Sequence, residues 1–266
     1  MIDPNQPEVG QEQTFVSHLV ELRTRLLRAL LVILVFFLGL FYFANDLYTL
    51  ISEPLTGLLP EGTSMIATDV TSPFFAPFKL TLVAAIFVAM PFILHQIWGF
   101  IAPGLYKHEK RLAVPLLASS ILLFYCGVAF AYFIVFPLIF SFFTSVGPEN
   151  VAVMTDISSY LNFVLKIFFA FGIVFEIPIA TLLIVWAGIS DVESLRSKRA
   201  YVIVGCFVLG MLLTPPDVIS QTLLAVPMWL LFELGIILSV IVPRGSSDQE
   251  TDLDEAMRQE EENNAS

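Results

Sequence analysis

Charged side chains, cysteines and histidines are scarce in this sequence, and their scarcity excludes several classes of protein. Of the 266 residues only 14% are charged, two are cysteine and three are histidine. Both cysteines, Cys126 and Cys206, lie inside apolar runs and are interpreted as small packing residues. Because the histidines are scattered, they form no ligand set with the cysteines. We therefore expect neither a disulfide framework nor a metal site.

The short motifs that mark catalytic or cofactor sites are also missing. The sequence contains no Gly-rich phosphate loop, no nucleophile elbow and no H-E-x-x-H pair. Its apolar runs contain no pair of nucleophile and base and no set of metal ligands. We therefore expect no catalytic residue and no cofactor, and a protein that is not an enzyme.

Hydrophobic residues make up 57% of the chain, and the mean hydropathy is +0.82. A soluble domain of this length could not bury so much apolar surface, so the composition predicts an all-α polytopic membrane protein. The net charge of -11 is misleading, because eight acidic residues lie between Asp248 and Glu262. We expect residues 1–243 to form the membrane domain and residues 244–266 an acidic, disordered cytoplasmic tail.

Six apolar runs predict six transmembrane helices, since about 20 apolar residues cross a bilayer. The last two are interpreted as short, and a short helix thins the bilayer around it. No internal repeat is visible, which disfavours many secondary transporter folds. The predicted spans are residues 26–44, 74–94, 112–136, 159–187, 200–213 and 223–242. The fourth is long enough to bend, and Gly172 and Pro178 are the places predicted for a bend.

The basic residues predict the orientation of these spans. Loops rich in Lys and Arg stay on the cytoplasmic side. The loops His95–Arg111 and Gly188–Arg199 are basic, whereas the connections at 45–72 and 137–158 contain acids and no base. Both termini are therefore expected in the cytoplasm. Eleven of the 13 Lys and Arg residues fit this topology, and only Lys79 and Lys166 do not.

Two acidic residues lie among bases at the predicted inner face. Glu21 is on an amphipathic helix that includes Phe15–Leu26 and has Arg25 one turn further on, while Glu109 is surrounded by bases in the His95–Arg111 loop. One interpretation is a weak surface ion pair at each position. The other is that both carboxylates meet an incoming cation.

Two further acidic residues, Glu176 and Glu233, lie inside the fourth and sixth predicted spans. Acids at membrane depth are costly, and they usually face a cavity or a partner. The alternative for each is an interhelical hydrogen bond from a protonated carboxyl group. Lys166, also in the fourth span, is expected to extend outward to the interface and to be structural.

Six separated motifs of this sequence resemble the TatC family, the core subunits of the twin-arginine protein translocase. Together they cover roughly residues 14–243, and they are most similar to the enteric-type Gram-negative members. The motifs are H-L-V-E-L-R-T-R-L at 18–26, S-P-F-F-A-P-F-K at 72–79, F-I-A-P-G-L-Y-K-H-E-K-R at 100–111, A-F-A-Y-F at 129–133, F-G-I-V-F-E-I-P at 171–178 and M-L-L-T-P-P-D at 211–217.

This resemblance implies a cupped bundle of six helices in the bacterial inner membrane, with a periplasmic cap and a concave face within the lipid. It implies recognition of twin-arginine signal peptides at the cytoplasmic face and transport of folded proteins driven by the proton-motive force. The implied partners are TatB-like and TatA-like single-span proteins, signal peptides and membrane lipid in a multimeric complex, with no nucleic acid.

The resemblance also implies roles for individual residues. Signal-peptide binding falls on Glu21, Glu109, Arg23 and Phe100, and the intramembrane acid of the family falls on Glu176. Lys166 and the long acidic tail are outside the family pattern. The outer end of the short fifth helix is expected to dock a partner, through Met211, Leu212, Thr214 and Asp217.

Two other functions are possible from the residues alone. A proton-coupled small-molecule transporter would use Glu176 and Glu233, but the inverted repeats typical of such proteins are missing. An intramembrane enzyme would need a nucleophile and base, or a metal set, within the spans.

Overall fold

Apolar helices build nearly all of the structure, because in hydrocarbon a helix satisfies its own backbone hydrogen bonds. The computed structural model describes residues 9–56, 65–105, 110–146, 155–214 and 218–241. Within these ranges the only β structure is an isolated bridge between Ile66 and Asp156. The all-α, polytopic fold class is confirmed. The helices are α1 (Val9–Leu40), α2 (Ala44–Thr56), α3 (Ser72–Leu105), α4 (Lys110–Phe130), α5 (Phe136–Val146), α6 (Ile157–Val174), α7 (Ile177–Trp186), α8 (Val192–Ser197), α9 (Arg199–Leu213) and α10 (Val218–Ile241).

Five helical stretches of the described chain are long and apolar enough to cross a bilayer, and α9 is a sixth, shorter apolar helix. Each of the six predicted spans overlaps one of them, but several bounds differ. The predicted acidic tail at 244–266 lies outside the described residues. The five long stretches are Leu19–Ser52, Ser72–Phe100, Val114–Phe142, Ile157–Trp186 and Val218–Ile241.

The first span is longer than predicted, since the amphipathic segment and the span form one helix, α1. No proline interrupts α1, so the backbone hydrogen bonds continue across the membrane boundary. A 3₁₀ turn at Phe41–Phe43 then leads into α2, which occupies part of the predicted 45–72 connection. The α2 helix forms because Leu47 and Ile51, one turn apart, both pack on the core.

The predicted loop at His95–Arg111 is mostly helical, which corrects the sequence-based boundary. The α3 helix continues to Leu105, and α4 begins at Lys110. The reason is burial: Leu94 and Trp98, one turn apart, are 8% and 6% exposed and pack together in a hydrophobic cluster.

The third span also extends beyond its predicted end at residue 136. After α4 the backbone forms a π-helical segment at Ala131–Val135 and continues as α5. Pro137, which has no N–H to donate, falls in the predicted connection at 137–158. It lies in the first turn of α5, where an N–H has less need of an intrahelical acceptor, and the wider π turn precedes it.

The fourth span is broken at Glu176, which separates α6 from α7. Pro178 lies in the first turn of α7 and removes one backbone donor, so the break near this proline fits the expected bend. Gly172 does not serve as a bend. A Cβ there would lie 2.5 Å from Phe124, so this glycine allows α4 and α6 to approach closely.

The last two spans differ in length, contrary to the prediction that both are short. The α9 helix has 15 residues, or about 22 Å, whereas α10 has 24 residues, or about 36 Å. The predicted sixth span starts at residue 223, after the polar residues at 220–222. They lie inside the helix because Ser220 is buried and the Gln221 amide donates to the Phe207 carbonyl of α9 at 2.7 Å.

A small polar junction fixes the start of α6. The Asp156 carboxylate accepts hydrogen bonds from the backbone N–H groups of Ser159 at 2.9 Å and Thr68 at 3.1 Å, and from both hydroxyls. These bonds stabilise the ionised form and lower the pKa of Asp156 below its usual range. These bonds, together with the β-bridge between Ile66 and Asp156, join the segment before α3 to the N-terminus of α6.

Candidate functional site

The inner-face acid Glu21 is held by two hydrogen bonds from one arginine. On α1 the Arg25 guanidinium donates to Glu21 Oε1 from Nε at 2.9 Å and from Nη2 at 2.7 Å. Nη2 also donates to the Gly99 carbonyl of α3 at 2.9 Å. The side chains of Arg25 and Glu21 are 22% and 39% exposed. The local ion pair foreseen from the sequence is therefore present, and it is also anchored to a second helix.

Gly99 makes this anchoring possible. A Cβ at this position would lie 2.4 Å from Nη1 of Arg25, closer than any real contact. With glycine there, the guanidinium can reach the backbone carbonyl. The carboxylate of Glu21 thus has a fixed position: Oε1 accepts both hydrogen bonds from Arg25, and Oε2 accepts none from the part of the chain that the structure describes.

The other residues expected at this site are not all brought together. Arg23 is exposed, and because it is two residues from Glu21 on α1 it faces another direction. Phe100 is half-buried and directly follows Gly99 on α3. Glu109 lies outside the described residues, immediately before the start of α4 at Lys110.

The intramembrane acid Glu176 ends a chain of hydrogen bonds across three helical segments. Its Oε2 accepts from the Ser120 hydroxyl of α4 at 2.7 Å. The Ser120 oxygen accepts in turn from the Trp98 indole N–H of α3 at 3.2 Å. Ser120 and Trp98 are buried, and Oε1 of Glu176 is a buried atom with no hydrogen bond to any described residue. The side chain is therefore polar at membrane depth and only half satisfied.

The two clusters meet on neighbouring residues of one helix. Gly99 accepts from Arg25, and Trp98 donates towards Glu176 through Ser120. The α3 helix thus positions both the inner-face acid and the intramembrane acid. Neither Trp98 nor Ser120 was selected from the sequence; the only signals were a polar residue inside an apolar run and a tryptophan close to its end.

Glu233 has a separate partner. Its Oε2 accepts from Nη2 of Arg199, the first residue of α9, at 2.6 Å. The Glu233 side chain is 18% exposed and that of Arg199 46%. Glu233 therefore faces a charged partner, a base from the predicted Gly188–Arg199 loop, which disfavours the alternative of a hydrogen bond from a protonated carboxyl group. Because Glu176 and Glu233 bind different partners, their contacts give no support to a shared proton site.

The predicted docking edge is partly exposed. At the end of α9, Met211 and Leu212 are 49% and 67% exposed. Thr214 is buried, and its hydroxyl and its N–H both donate to the Gly210 carbonyl, which closes the helix end. Asp217 lies outside the described residues. Met211 and Leu212 thus present an apolar surface, while Thr214 shapes the end of the helix.

The part of the chain that the structure describes contains no candidate metal site. No group of three or more His, Cys, Asp or Glu side chains there could hold a metal ion. The polar groups of the site are carboxylates, guanidinium groups, a hydroxyl and an indole, which bind ligands by hydrogen bonds and charge.

Apolar spanning helices with ordered polar clusters at their ends and at mid-depth define a polytopic α-helical membrane protein. The family profile described as Sec-independent protein translocase protein (TatC) matches residues 17–227. The chain belongs to this TatC family, and it is a multi-pass protein of the bacterial inner membrane.

Individual relatives agree with this assignment. The Sec-independent protein translocase protein TatC of Azotobacter chroococcum is 66% identical over 230 residues, covering 86% of this chain and 90% of the relative. The TatC protein of Escherichia coli K12 is 59% identical over 231 residues, with coverages of 87% and 90%. A crystal structure of the twin arginine translocase receptor TatC superimposes with a TM-score of 0.76 at 41% identity, covering 84% of this chain and 98% of that one.

Proposed function

We propose that this chain is the signal-peptide receptor and core subunit of a twin-arginine translocase. It binds the paired arginines of a signal peptide at its cytoplasmic face. With TatB-like and TatA-like single-span partners, it then moves folded precursor proteins across the inner membrane at the expense of the proton-motive force. Its role is binding and transport, not catalysis.

The observation that carries this proposal is the fixed carboxylate of Glu21. A guanidinium group binds a carboxylate with directional, often bidentate hydrogen bonds, so a carboxylate that recognises arginine needs a fixed orientation. Arg25 supplies that orientation by joining Glu21 to the Gly99 carbonyl. An arginine from a signal peptide would use Oε2 of Glu21, and the neighbouring Arg25 would disfavour a cation placed anywhere else.

Glu109 is proposed as the second acid of the arginine-binding pair. The structure describes α3 up to Leu105 and α4 from Lys110, so Glu109 belongs to the short connection between these helices. Gly99, which accepts from Arg25, is also on α3. Glu109 follows the last residue of α3 by four positions in the sequence, and Glu21 is joined to α3 through Arg25, which supports two sites for two arginines near the inner part of this helix.

The apolar part of the signal peptide is proposed to extend from the inner face towards Glu176. The chain of hydrogen bonds through Trp98 and Ser120 keeps Oε2 of this acid in place, while Oε1 is buried and has no hydrogen bond to any described residue. Acids at membrane depth usually face a cavity or a partner, which supports a role for Glu176 in transport.

The proposal is tested by crosslinking a twin-arginine precursor to membranes that contain the full chain. Glu21→Gln and Glu109→Gln keep size and hydrogen bonding but remove the charge. Loss of a desolvated charged contact costs about 2–5 kcal/mol, or roughly 30-fold or more in affinity. Each variant should therefore lose the precursor crosslink, while Glu193→Gln, an exposed acid on α8, should keep it.

A twin-lysine precursor serves as the second control, because lysine cannot make the bidentate contact. Glu109→Asp should retain part of the binding, since the charge remains at shorter reach. Normal precursor crosslinking by both Gln variants would contradict the proposal and return both acids to weak ion pairs. Insertion and assembly of each variant are checked by co-purification with the single-span partners.

A further inference from the structure

An apolar groove opens between α3, α6 and the outer end of α9. Its cavity volume is about 500 Å³, within the usual range for small-molecule sites. Phe169, Ile173 and Leu209 line its wall. Ile173 is 62% exposed and Leu209 47%, so the groove is open towards the surrounding bilayer. An open apolar groove inside a membrane is occupied by lipid or by another protein, and the polar residues that line it indicate which.

Two lysines line this groove, and they are the two bases that the positive-inside pattern could not place. Lys79 on α3 donates to the Asn162 side-chain oxygen of α6, and Lys166 follows Asn162 by one helical turn. The ammonium groups of Lys79 and Lys166 therefore lie on neighbouring parts of α3 and α6, where these two helices contact each other. Within the described part of the chain neither lysine forms an ion pair. Unpaired cations at membrane depth are costly, so an anion from outside the chain is expected beside them.

The depth of these lysines matches a thinned bilayer. Lys79 and Lys166 lie seven and nine residues after the first residues of α3 and α6, or about 10 Å and 14 Å along the helices. The 15 residues of α9 span about 22 Å, less than the roughly 30 Å of hydrocarbon. Leu209 and Leu213, at the outer end of α9, line the same groove. Lipid phosphates next to α9 are therefore drawn inward towards the two lysines.

We propose that this groove binds one anionic phospholipid of the outer leaflet. Its phosphate lies between Lys79 and Lys166, and one acyl chain lies along Phe169 and Ile173. A phospholipid supplies both the negative charge and the long apolar chain that the groove requires. A partner helix would need its own acid buried at the same depth, which costs far more than a lipid phosphate already near this level. The proposal is independent of signal-peptide recognition.

The test uses the full-length protein in phosphatidylcholine vesicles that contain a trace of photoactivatable phosphatidylglycerol with the reactive group on an acyl chain. Crosslinked residues are mapped by peptide mass spectrometry. We expect labelling at Phe169, Ile173 and Leu209. Lys79→Gln and Lys166→Gln should each reduce it about fivefold, the contribution of one base beside an anionic lipid. Lys198→Gln, an exposed lysine outside the groove, should leave it unchanged.

Measurements on the unaltered protein keep the proposal testable if a variant fails to fold. Unlabelled phosphatidylglycerol should compete for the groove and phosphatidylcholine should not, and labelling should decrease in high salt. Lys166→Arg should retain labelling, because it keeps the charge. Equal labelling by a photoactivatable phosphatidylcholine would overturn the proposal in favour of ordinary boundary lipid. In native membranes, a photoreactive amino acid at Ile173 that crosslinks a signal peptide or a single-span partner, with no lipid adduct, would overturn the proposal in favour of a protein occupant.

Discussion

Replacing Ser120 with alanine should destabilise the bundle, because two buried polar groups lose their partner at once. The Ser120 hydroxyl donates to Glu176 at 2.7 Å and accepts from the Trp98 indole at 3.2 Å, in a position that is 1% exposed. Alanine removes both hydrogen bonds with little change in volume.

The expected cost follows from the location of these bonds. Interhelical hydrogen bonds in membranes contribute about 0.6 kcal/mol on average and up to about 1.7 kcal/mol. Leaving a buried group unsatisfied costs about 1–3 kcal/mol. For two bonds sharing one hydroxyl we expect Ser120→Ala to lower the free energy of unfolding by about 1–3 kcal/mol. This corresponds to a change of roughly five- to 150-fold in the unfolding equilibrium.

The measurement is reversible unfolding of the purified protein in mixed micelles with an increasing fraction of denaturing detergent, followed by tryptophan fluorescence. Ser119→Ala is the matched control. Ser119 is exposed and its hydroxyl donates to the Pro115 carbonyl of its own helix, so its loss should change the free energy by less than about 0.5 kcal/mol.

The reasoning is refuted if Ser120→Ala unfolds at the same detergent fraction as Ser119→Ala. A double-mutant cycle with Glu176→Gln separates the shared bond from unrelated effects, because residues in contact show non-additive costs. A coupling energy of zero between Ser120 and Glu176 would mean that the 2.7 Å contact does not stabilise the bundle.

Three further predictions concern other parts of the molecule. Arg199→Ala leaves the largely buried Glu233 without its cation and should cost about 1–3 kcal/mol in the same unfolding assay, whereas Lys198→Ala should be nearly neutral. Because the pKa of Asp156 is lowered in the folded state, this carboxylate stabilises the fold fully above the unfolded-state pKa of about 3.9, and the stabilisation is lost as pH falls below that value. Amide protection at the start of α6, measured by hydrogen exchange, should therefore hold at neutral pH and fall only in strong acid. Asp156→Asn should lose this protection at neutral pH. A photoreactive amino acid at Met211, which is 49% exposed, should crosslink a small single-span protein in native membranes, and crosslinks to lipid alone would contradict a docking role for this edge.

Much of the fold was predictable because the membrane imposes one dominant rule. Apolar length gave the helices, and the break near Pro178 was foreseen from the missing backbone donor. Helix ends were less predictable where a polar or proline-containing segment is nevertheless buried. The helix continues through Pro137, which follows a π-helical segment. Gln221 lies inside α10 because its side-chain amide donates to a carbonyl of α9.

The site was predictable in its residues and not in its contacts. Glu21, Glu176 and Glu233 stand out in the sequence because charges are rare near and inside a bilayer. Their hydrogen-bond partners depend on how separate helices pack against one another, and a single sequence does not specify that packing. Ser120 is one of two adjacent serines, and only the rotation of α4 decides that it meets Glu176 while Ser119 faces outward.

The low burial of the apolar part of α1 bears on how the chain is assembled. Only 6% of the most apolar window of its span is buried, against 50% for the span that contains α6. The one buried residue described on α1 is Ala29, a small side chain of the kind that allows helices to pack closely in lipid. This span therefore depends less on buried contacts than the span that contains α6, although it packs along α3. The α6 helix depends on neighbours on several sides, so α3 and α4, which precede it in the chain, are expected to stay close to the insertion machinery until α6 arrives to pack against them.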